Sequence, residues 1–269
     1  MLKREKNSDL RKYITSLART SNVSTLLHRS TNILTCLSND INTITDIAGY
    51  CKYSTSTVHR LLQSLKELNW IIQDGGRHKY YLGPLVLQLA SNRIAAHKYL
   101  IIHALGEMER LADITEETIN LAIMLNLNYN IIHAIPSKHD LRIIEENKRI
   151  GPIYTGATAK VMLSQLSDEE LQITLRYIKF ERFTENTVTD KAVLLEQVKE
   201  IRRKGYCVTY GERINGALCI SAPVKNYLCP ASLSIVGPEN RLKARVKEVV
   251  EELKSSAGSI SLDIAEALS

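Results

Sequence analysis

The first part of the chain alternates apolar and polar positions with the period of an α-helix. Apolar residues recur over 26–37 and predict a first core helix. Thr43, with Asp46 three residues later, indicates an N-cap and predicts a short second helix that ends near Cys51. The preceding arm, residues 1–22, is polar and basic, and its helical spacing of Leu10, Ile14 and Leu17 favours a short helix.

The third helix is the clearest element of this pattern. Ser54 is a suitable N-cap. Five apolar residues at helical spacing predict one buried face: Val58, Leu61, Leu62, Leu65 and Leu68. The opposite face carries short or hydrogen-bonding side chains and almost no acid: Thr55, Ser56, Thr57, His59, Arg60, Gln63 and Ser64.

Two short β-rich runs follow, at 70–72 and 78–82, with Asp74-Gly75-Gly76 between them. An Asp-Gly-Gly segment in this position predicts a hairpin. Three helices and a hairpin, with a short turn between the second and third helices, describe a winged helix-turn-helix. We place this domain at residues 23–84.

Beyond Gly83-Pro84 the pattern predicts a connecting helix over 85–104 and a second domain over 105–269. Strands are expected at 119–125, 131–135, 218–224 and 231–236, with a turn at Asn128-Tyr129-Asn130 between the first two. Helices are expected near 157–166, 168–178, 190–204 and 240–268. This order indicates an α+β domain with a mainly antiparallel sheet.

The net charge of +6 lies entirely in the first part of the chain. Residues 1–83 carry 12 Lys and Arg against 6 Asp and Glu, whereas the remainder carries 23 of each. A polyanion is the natural partner of such a segment, with nucleic acid favoured over a membrane surface.

The remaining composition excludes several classes of protein. The five cysteines lack framework spacing and predict free thiols in a reducing compartment: Cys36, Cys51, Cys207, Cys219 and Cys229. The chain starts without the apolar core of a signal peptide, and four Asn interrupt its most apolar stretch, 119–135, so we expect a cytoplasmic protein. We find no metal-ligand spacing, phosphate loop or nucleophile elbow, and predict no metal, cofactor or catalytic site.

The start of the third helix has the chemistry of a DNA-reading surface. The N-terminal residues of a recognition helix meet the major groove, while hydroxyl and basic groups hold phosphates. Arg60 can contact guanine with two hydrogen bonds, and His59 or Gln63 can reach a neighbouring base edge. The predicted DNA-binding residues are Ser54, Thr55, Ser56, Thr57, His59, Arg60 and Gln63, together with Arg77, His78 and Lys79 at the hairpin tip. The Ser/Thr cluster alone is more typical of a helix cap; the apolar periodicity, the hairpin and the local charge together favour DNA.

These residues resemble the DNA-binding domain of IclR-type (isocitrate lyase regulator) bacterial transcription factors. The matching segments are Asp46-Ile47-Ala48, Ser56-Thr57-Val58-His59-Arg60-Leu61-Leu62 and Tyr80-x-Leu82-Gly83-Pro84. The rest of the chain resembles the GAF-like effector domain of that family, through Thr155-Gly156-Ala157-Thr158-Ala159-Lys160, Arg203-Lys204-Gly205-Tyr206 and Cys219-Ile220-Ser221-Ala222-Pro223-Val224. The resemblance runs from about Thr25 to the C-terminus. It implies a homodimer, or a dimer of dimers, that binds operator DNA and is controlled by a small metabolite.

The same resemblance implies an effector pocket at the start of a helix near Ala157. Backbone N–H groups at a helix start favour an anionic ligand, so we expect a small organic acid. The candidate effector-binding residues are Tyr154, Ala157, Thr158, Tyr210, Cys219, Ser221 and Ser234. The chain departs from the family twice near this site. Ala159 stands where Gly is usual, and Val208-Thr209-Tyr210-Gly211 lacks a usual acidic residue.

Several interpretations of function stay open on the sequence alone. A repressor relieved by its ligand is the working prediction, because a compact DNA reader can act by occluding polymerase. An activator of a catabolic operon with the same architecture is the alternative. An enzyme with an accessory DNA-binding domain would need a carboxylate or thiolate site that the pattern does not display. An RNA-binding module would be expected to show more aromatic stacking residues.

Overall fold

The structure is a computed structural model that describes residues 24–76, 78–91, 97–143 and 150–268. The chain divides into two compact units, Met1–Ala96 and His97–Ser269. The division falls within the segment predicted to connect the domains. The arm of residues 1–22, with its expected short helix, and positions 92–96 of the connecting segment lie outside the described residues. The predicted boundaries at 22 and 104 stay predictions.

The first unit contains the predicted winged helix-turn-helix. Its elements are α1 (Thr25–Ser38), α2 (Ile44–Cys51), α3 (Thr55–Glu67), β1 (Ile71–Gln73) and β2 (Tyr80–Leu82). The two strands pair antiparallel, with Ile72 opposite Tyr81. The three helices and the hairpin are therefore confirmed.

Side-chain caps start the second and third helices at the predicted residues. The Thr43 hydroxyl accepts a hydrogen bond from Asp46 N at 3.2 Å, and the Ser54 hydroxyl accepts one from Thr57 N at 3.2 Å. Lys52 ends α2 in the left-handed region, with φ 57°. Because Lys52 ends α2 and Ser54 caps α3 only two residues later, the turn between the two helices is short.

The buried face of α3 is confirmed except at its end. Val58, Leu61, Leu62 and Leu65 are buried in the core of the first unit. Leu68, predicted to continue this face, is 62% exposed. The helix ends at Glu67, and Leu68 is its C-cap residue, so the chain leaves the helical path before this side chain can face the core.

Gly83 closes the hairpin against the end of α3. Its N–H donates to Trp70 O at 2.7 Å. A Cβ atom at this position would stand 2.7 Å from Ile71 N and 2.8 Å from the carbonyl carbon of Trp70. Only a residue without a side chain fits such a close approach of two backbone segments. Helix α4 (Pro84–Ser91) begins directly after it.

The second unit contains the predicted antiparallel sheet. Its strands are β3 (Thr118–Leu125), β4 (Asn128–Ile135), β5 (Ile150–Pro152), β6 (Cys207–Tyr210), β7 (Ala217–Val224) and β8 (Ala231–Pro238). Their order in the sheet is β5-β4-β3-β8-β7-β6, and every neighbouring pair is antiparallel. The α+β class is confirmed.

The predicted position of the first turn in this sheet is wrong. Asn128, Tyr129 and Asn130 belong to β4, and the turn is made by the two residues before them. Asn126 adopts φ 55°, the left-handed conformation that tight hairpin turns require and that Asn tolerates. The strand can then begin early enough to bury the Tyr129 ring, which is 4% exposed.

Helices cover both faces of the sheet. They are α5 (Lys98–Thr115), α6 (Gly156–Ser164), α7 (Asp168–Tyr177), α8 (Lys191–Lys204), α9 (Glu239–Leu242) and α10 (Val246–Leu268), with a 3-10 turn at Lys243–Arg245. Apolar residues of α5 and α10 form one core with β3, β7 and β8. A second core joins α6, α7 and α8 to the other face. In the described part of the chain, no helix is long and apolar enough to span a bilayer.

Candidate DNA-reading surface and effector pocket

We call the exposed start of α3 and the hairpin tip the DNA-reading surface. Ser54, Thr55 and Ser56 are exposed at the first turn of α3, and Thr57 is half-buried. The Ser54 hydroxyl is 2.8 Å from that of Thr57 and 3.0 Å from that of Ser56. These hydroxyls therefore cap the helix and remain close enough to solvent to contact a ligand.

The outer face of α3 presents three longer polar side chains. His59 and Arg60 are exposed and Gln63 is half-buried, whereas Val58 and Leu61 face the core. The structure thus brings these three predicted residues onto one solvent-facing side of the same helix. Their contacts with bases stay predictions.

At the hairpin tip the structure describes two of the three predicted basic residues. His78 is exposed with φ 52°, and Lys79 is half-buried. Asp74 N donates to Lys79 O at 2.8 Å and Gly76 N to the Asp74 carboxylate at 2.9 Å, so the turn is held by its own groups. Arg77 lies outside the described residues.

The second unit contains a cavity of about 50 Å³ at the start of α6, which we call the effector pocket. Since one water molecule occupies about 30 Å³ of liquid, the pocket is narrow. It is lined by Asn120, Tyr129, Ile131, Ile143, Thr155, Gly156, Ala157, Thr158, Thr209, Glu212, Arg213, Ile214, Ala217, Cys219 and Val236.

Three of the predicted effector residues, Ala157, Thr158 and Cys219, line this pocket. Ser234 and Ser221 lie behind them. The Thr158 hydroxyl is 2.8 Å from that of Ser234, which is in turn 2.8 Å from that of Ser221. Both serines are fully buried, so they support Thr158 from the sheet.

The two predicted tyrosines lie outside the pocket lining. The Tyr154 hydroxyl donates to Glu181 O at 2.9 Å and accepts from Glu181 N at 2.7 Å, so both of its polar functions are used within the protein. Tyr210 ends β6 and is 40% exposed. Their assignment as effector residues stays a prediction without geometric support from this pocket.

The protein's own groups already bind the first N–H groups of α6. Gly156 N donates to the Glu212 carboxylate at 3.0 Å, and Ala157 N donates to the Thr209 hydroxyl at 3.1 Å. The other carboxylate oxygen of Glu212 accepts from the ammonium group of Lys160, which is 1% exposed. Thr209, which also lines the pocket, is uncharged, so it adds no negative charge there.

Two polar groups of the pocket were missed by the sequence analysis. The Arg213 guanidinium donates to the hydroxyl of Tyr129 and lies 5.3 Å from the centre of its ring. Burial lowers the pKa of Arg213 below its ordinary value. Thr155 is the N-cap of α6 and is 1% exposed, and within the described structure its hydroxyl has no hydrogen-bond partner. A buried hydroxyl without a partner is costly, and because Thr155 lines a cavity, a polar ligand atom placed there would supply the missing hydrogen bond.

Comparison with known proteins decides the family. The family described as "Bacterial transcriptional regulator IclR C-terminal" matches residues 93–262, and "IclR helix-turn-helix domain" matches residues 26–75. The HTH-type transcriptional regulator KdgR of Escherichia coli is 33% identical over 221 residues, 81% of this chain and 84% of KdgR. The chain belongs to the IclR family. It is a DNA-binding transcriptional regulator, and its relatives are regulators rather than enzymes.

Two further IclR-family proteins are informative. The HTH-type transcriptional repressor AllR of Salmonella paratyphi A is 28% identical over 203 residues, 74% of each chain. A crystal structure of an IclR homologue of Microbacterium hydrocarbonoxydans, in complex with 4-hydroxybenzoate, covers 90% of this chain and 100% of its own, at 23% identity and a TM-score of 0.57. The second likeness supports the two-domain fold.

Within the described ranges, no group of three or more His, Cys, Asp or Glu side chains is arranged to bind a metal ion.

Proposed function

We propose that the protein is a repressor that binds operator DNA as a dimer or a dimer of dimers and leaves it when a small organic acid binds. The Thr155 hydroxyl, which has no partner among the described residues, and the Arg213 guanidinium line the same cavity and carry this proposal, because together they suit an anion with hydrogen-bonding oxygens. AllR is named a repressor, and the Microbacterium homologue was crystallised with an aromatic acid.

The narrow pocket limits the size of the acid and the groups that its carboxylate can contact. Glu212 and Thr209 occupy the N–H groups of Gly156 and Ala157, so the carboxylate of the acid meets Arg213 and Thr155 instead. A cavity of about 50 Å³ favours compact acids, and a ring such as that of 4-hydroxybenzoate requires the walls to move apart.

The substitution Thr155→Val tests this placement. Val keeps the shape of Thr but removes the hydroxyl, so the ligand-free protein loses no hydrogen bond and should be at least as stable. A thermal-shift screen of acetate, lactate, pyruvate and 4-hydroxybenzoate identifies an acid that raises the melting temperature. We expect Thr155→Val to weaken the binding of that acid by at least about tenfold in calorimetry, since a hydrogen bond to a charged group contributes about 1.5–3 kcal/mol.

Ser232→Ala is the matched control. Ser232 is also fully buried, its hydroxyl also has no partner among the described residues, and it does not line the pocket. It should bind the acid as the wild type does. Unchanged affinity of Thr155→Val for the acid would refute the placement of the acid in this pocket. That result would leave the conclusion that the protein binds DNA unaffected.

The substitution Arg60→Ala tests the DNA-reading surface. Arg60 is exposed on the outer face of α3, so its loss leaves the core intact. We expect affinity for a duplex selected from a random pool to fall by about 1–3 kcal/mol, with relaxed preference at one position of each half-site. Fluorescence anisotropy measures both quantities.

Lys66→Ala is the control for charge. Lys66 lies in the last turn of the same helix, where its ammonium group donates to Gln73. Its removal should weaken selected and unselected duplexes equally and slightly. An equal loss on both duplexes for Arg60→Ala would show that Arg60 contacts phosphate and reads no base.

Self-association is supported by the apolar surface of α4. Leu87 is 70% exposed and Leu89 is 58% exposed on this helix. Two exposed leucines on one short helix favour burial against a second copy of the chain. Sedimentation of the intact protein tests the proposal, and a monomer at tens of micromolar would contradict it.

A further inference from the structure

Cys36 and Cys51 lie in contact inside the first unit. Their Sγ atoms are 3.5 Å apart. Cys36 belongs to α1 and has no exposed surface, whereas Cys51 is the last residue of α2 and is half-buried. A disulfide has a sulfur–sulfur distance of about 2.05 Å, so a bond requires the two atoms to approach by about 1.5 Å.

We propose that Cys36 and Cys51 form a reversible disulfide on reaction with a hydroperoxide, and that this disulfide weakens DNA binding. The device would add an oxidant response to the DNA-binding activity. It acts within the first unit and is independent of the effector pocket.

The two cysteines differ in pKa and in solvent access, which suits them to different steps of the oxidation. The side-chain hydrogen bond between the two cysteines lowers the pKa of Cys51, and the same hydrogen bond, together with burial, raises the pKa of Cys36. The thiolate is the nucleophilic form of cysteine. Cys51, which also has solvent access, therefore reacts first. Once Cys51 is oxidised, the hydrogen bond that contributes most to the raised pKa of Cys36 is lost, and Cys36 resolves the product.

The chemistry balances with a hydroperoxide as the oxidant. The Cys51 thiolate attacks the terminal oxygen of ROOH, the O–O bond breaks, and the alkoxide leaves as ROH with the proton of the thiol. Cys51 is then a sulfenic acid. Cys36 Sγ attacks its sulfur, the S–S bond forms, the S–O bond breaks, and hydroxide leaves as water with the Cys36 proton. Two thiols lose two electrons, and the peroxide gains them.

The position of Cys51 connects this bond to the DNA-reading surface. Cys51 is followed by Lys52 in the left-handed conformation and, two residues later, by Ser54, the N-cap of α3. The same turn is fastened to α1 a second time, because Asn32 Nδ2 donates to the Tyr53 hydroxyl at 2.7 Å.

Because this turn contacts α1 at two points, a movement of Cys51 also displaces the residues that follow it. Asn32 and Cys36 are one helical turn apart on α1, and their partners are two residues apart in the turn. Pulling Cys51 toward α1 therefore shifts the start of α3 relative to the rest of the unit. The hydroxyl and basic groups that must meet the groove together then lose their register.

Cys207 and Cys229 differ from this pair. Burial raises the pKa of Cys207 to about 12 and also raises that of Cys229. Both thiols are therefore protonated and poor nucleophiles at neutral pH. Cys229, outside the effector pocket and the first unit, provides the matched control.

The experiment uses the intact, reduced protein and a duplex that it selects from a random pool. Binding is measured before treatment with hydrogen peroxide, after it, and after dithiothreitol, and non-reducing peptide mapping identifies linked cysteines. We expect a Cys36–Cys51 linkage with the loss of two hydrogens, at least a tenfold loss of affinity, and recovery on reduction. Cys51→Ser and Cys36→Ala should bind DNA in the reduced state and ignore peroxide, while Cys229→Ser should respond as the wild type does.

Three results would overturn the proposal. These are the absence of the linkage from peroxide-treated wild type, a complete linkage with unchanged affinity, or a peroxide effect that persists in the Cys36 and Cys51 variants. Mapping of the wild type decides the first two, even where a variant folds poorly. Because binding by the reduced protein is measured first, a failure of DNA binding itself is distinguishable from a failure of the oxidant response.

Discussion

Lys160→Met is expected to lower the free energy of unfolding of the second unit by about 3–5 kcal/mol. Lys160 is 1% exposed and Glu212 is 8% exposed, and their charged groups form an ion pair. Removing Lys160 leaves the charge of Glu212 buried without an opposite charge, and such changes are among the most destabilising known for single residues. Urea unfolding followed by circular dichroism measures the loss.

A double variant separates the ion pair from the packing around it. In Lys160→Met with Glu212→Gln no charge remains buried, and Gln can still accept the hydrogen bond from Gly156 N. Replacement of both partners of a buried pair is often close to neutral, so the double variant should recover most of the stability. A double variant less stable than Lys160→Met would show that the carboxylate serves α6 beyond its pairing with Lys160.

Gly83→Ala is expected to destabilise the first unit by about 3 kcal/mol and to abolish measurable DNA binding. The added Cβ meets backbone atoms of Asn69, Trp70 and Ile71, none of which can rotate away as a side chain would. Overpacking of this kind costs about 1–3 kcal/mol, and the hairpin must separate from α3 to relieve it. Thermal unfolding and anisotropy measure the two effects.

Gly75→Ala is the control within the same hairpin. A Cβ at Gly75 meets no atom within 4 Å. This variant should therefore unfold like the wild type. Equal stability of the two alanine variants would contradict the close approach at Gly83.

The sequence was most informative where structure is local. Helical periodicity located α3, and short-range hydrogen bonds at Thr43 and Ser54 follow from residue types three positions apart. The prediction that Leu68 is buried was wrong, because helical periodicity does not show where a helix ends. The turn at Asn126 was misplaced because Asn is common in turns and occurs at 126, 128 and 130 alike.

The effector pocket shows what such patterns omit. Ala157, Thr158 and Cys219 were reached through family resemblance, and they do line the cavity. Arg213 and Thr155 were missed, because they come from a loop and a cap position that have no periodicity. Their importance depends on burial and on the absence of a partner for Thr155 in the described structure, and both are properties of the folded chain.

The pairing of β3 with β8 has a consequence for the way the protein is made. These central strands are more than a hundred residues apart in sequence, as in the pair Thr118 and Val236. The contacts within the first unit, by contrast, join residues that are only a few dozen positions apart in sequence. Chains dominated by distant pairings fold slowly, and domains emerge from the ribosome in order. We therefore expect the first unit to fold during translation. The six-stranded sheet, in contrast, cannot form until nearly the whole chain has been synthesised, because β3 pairs with β8.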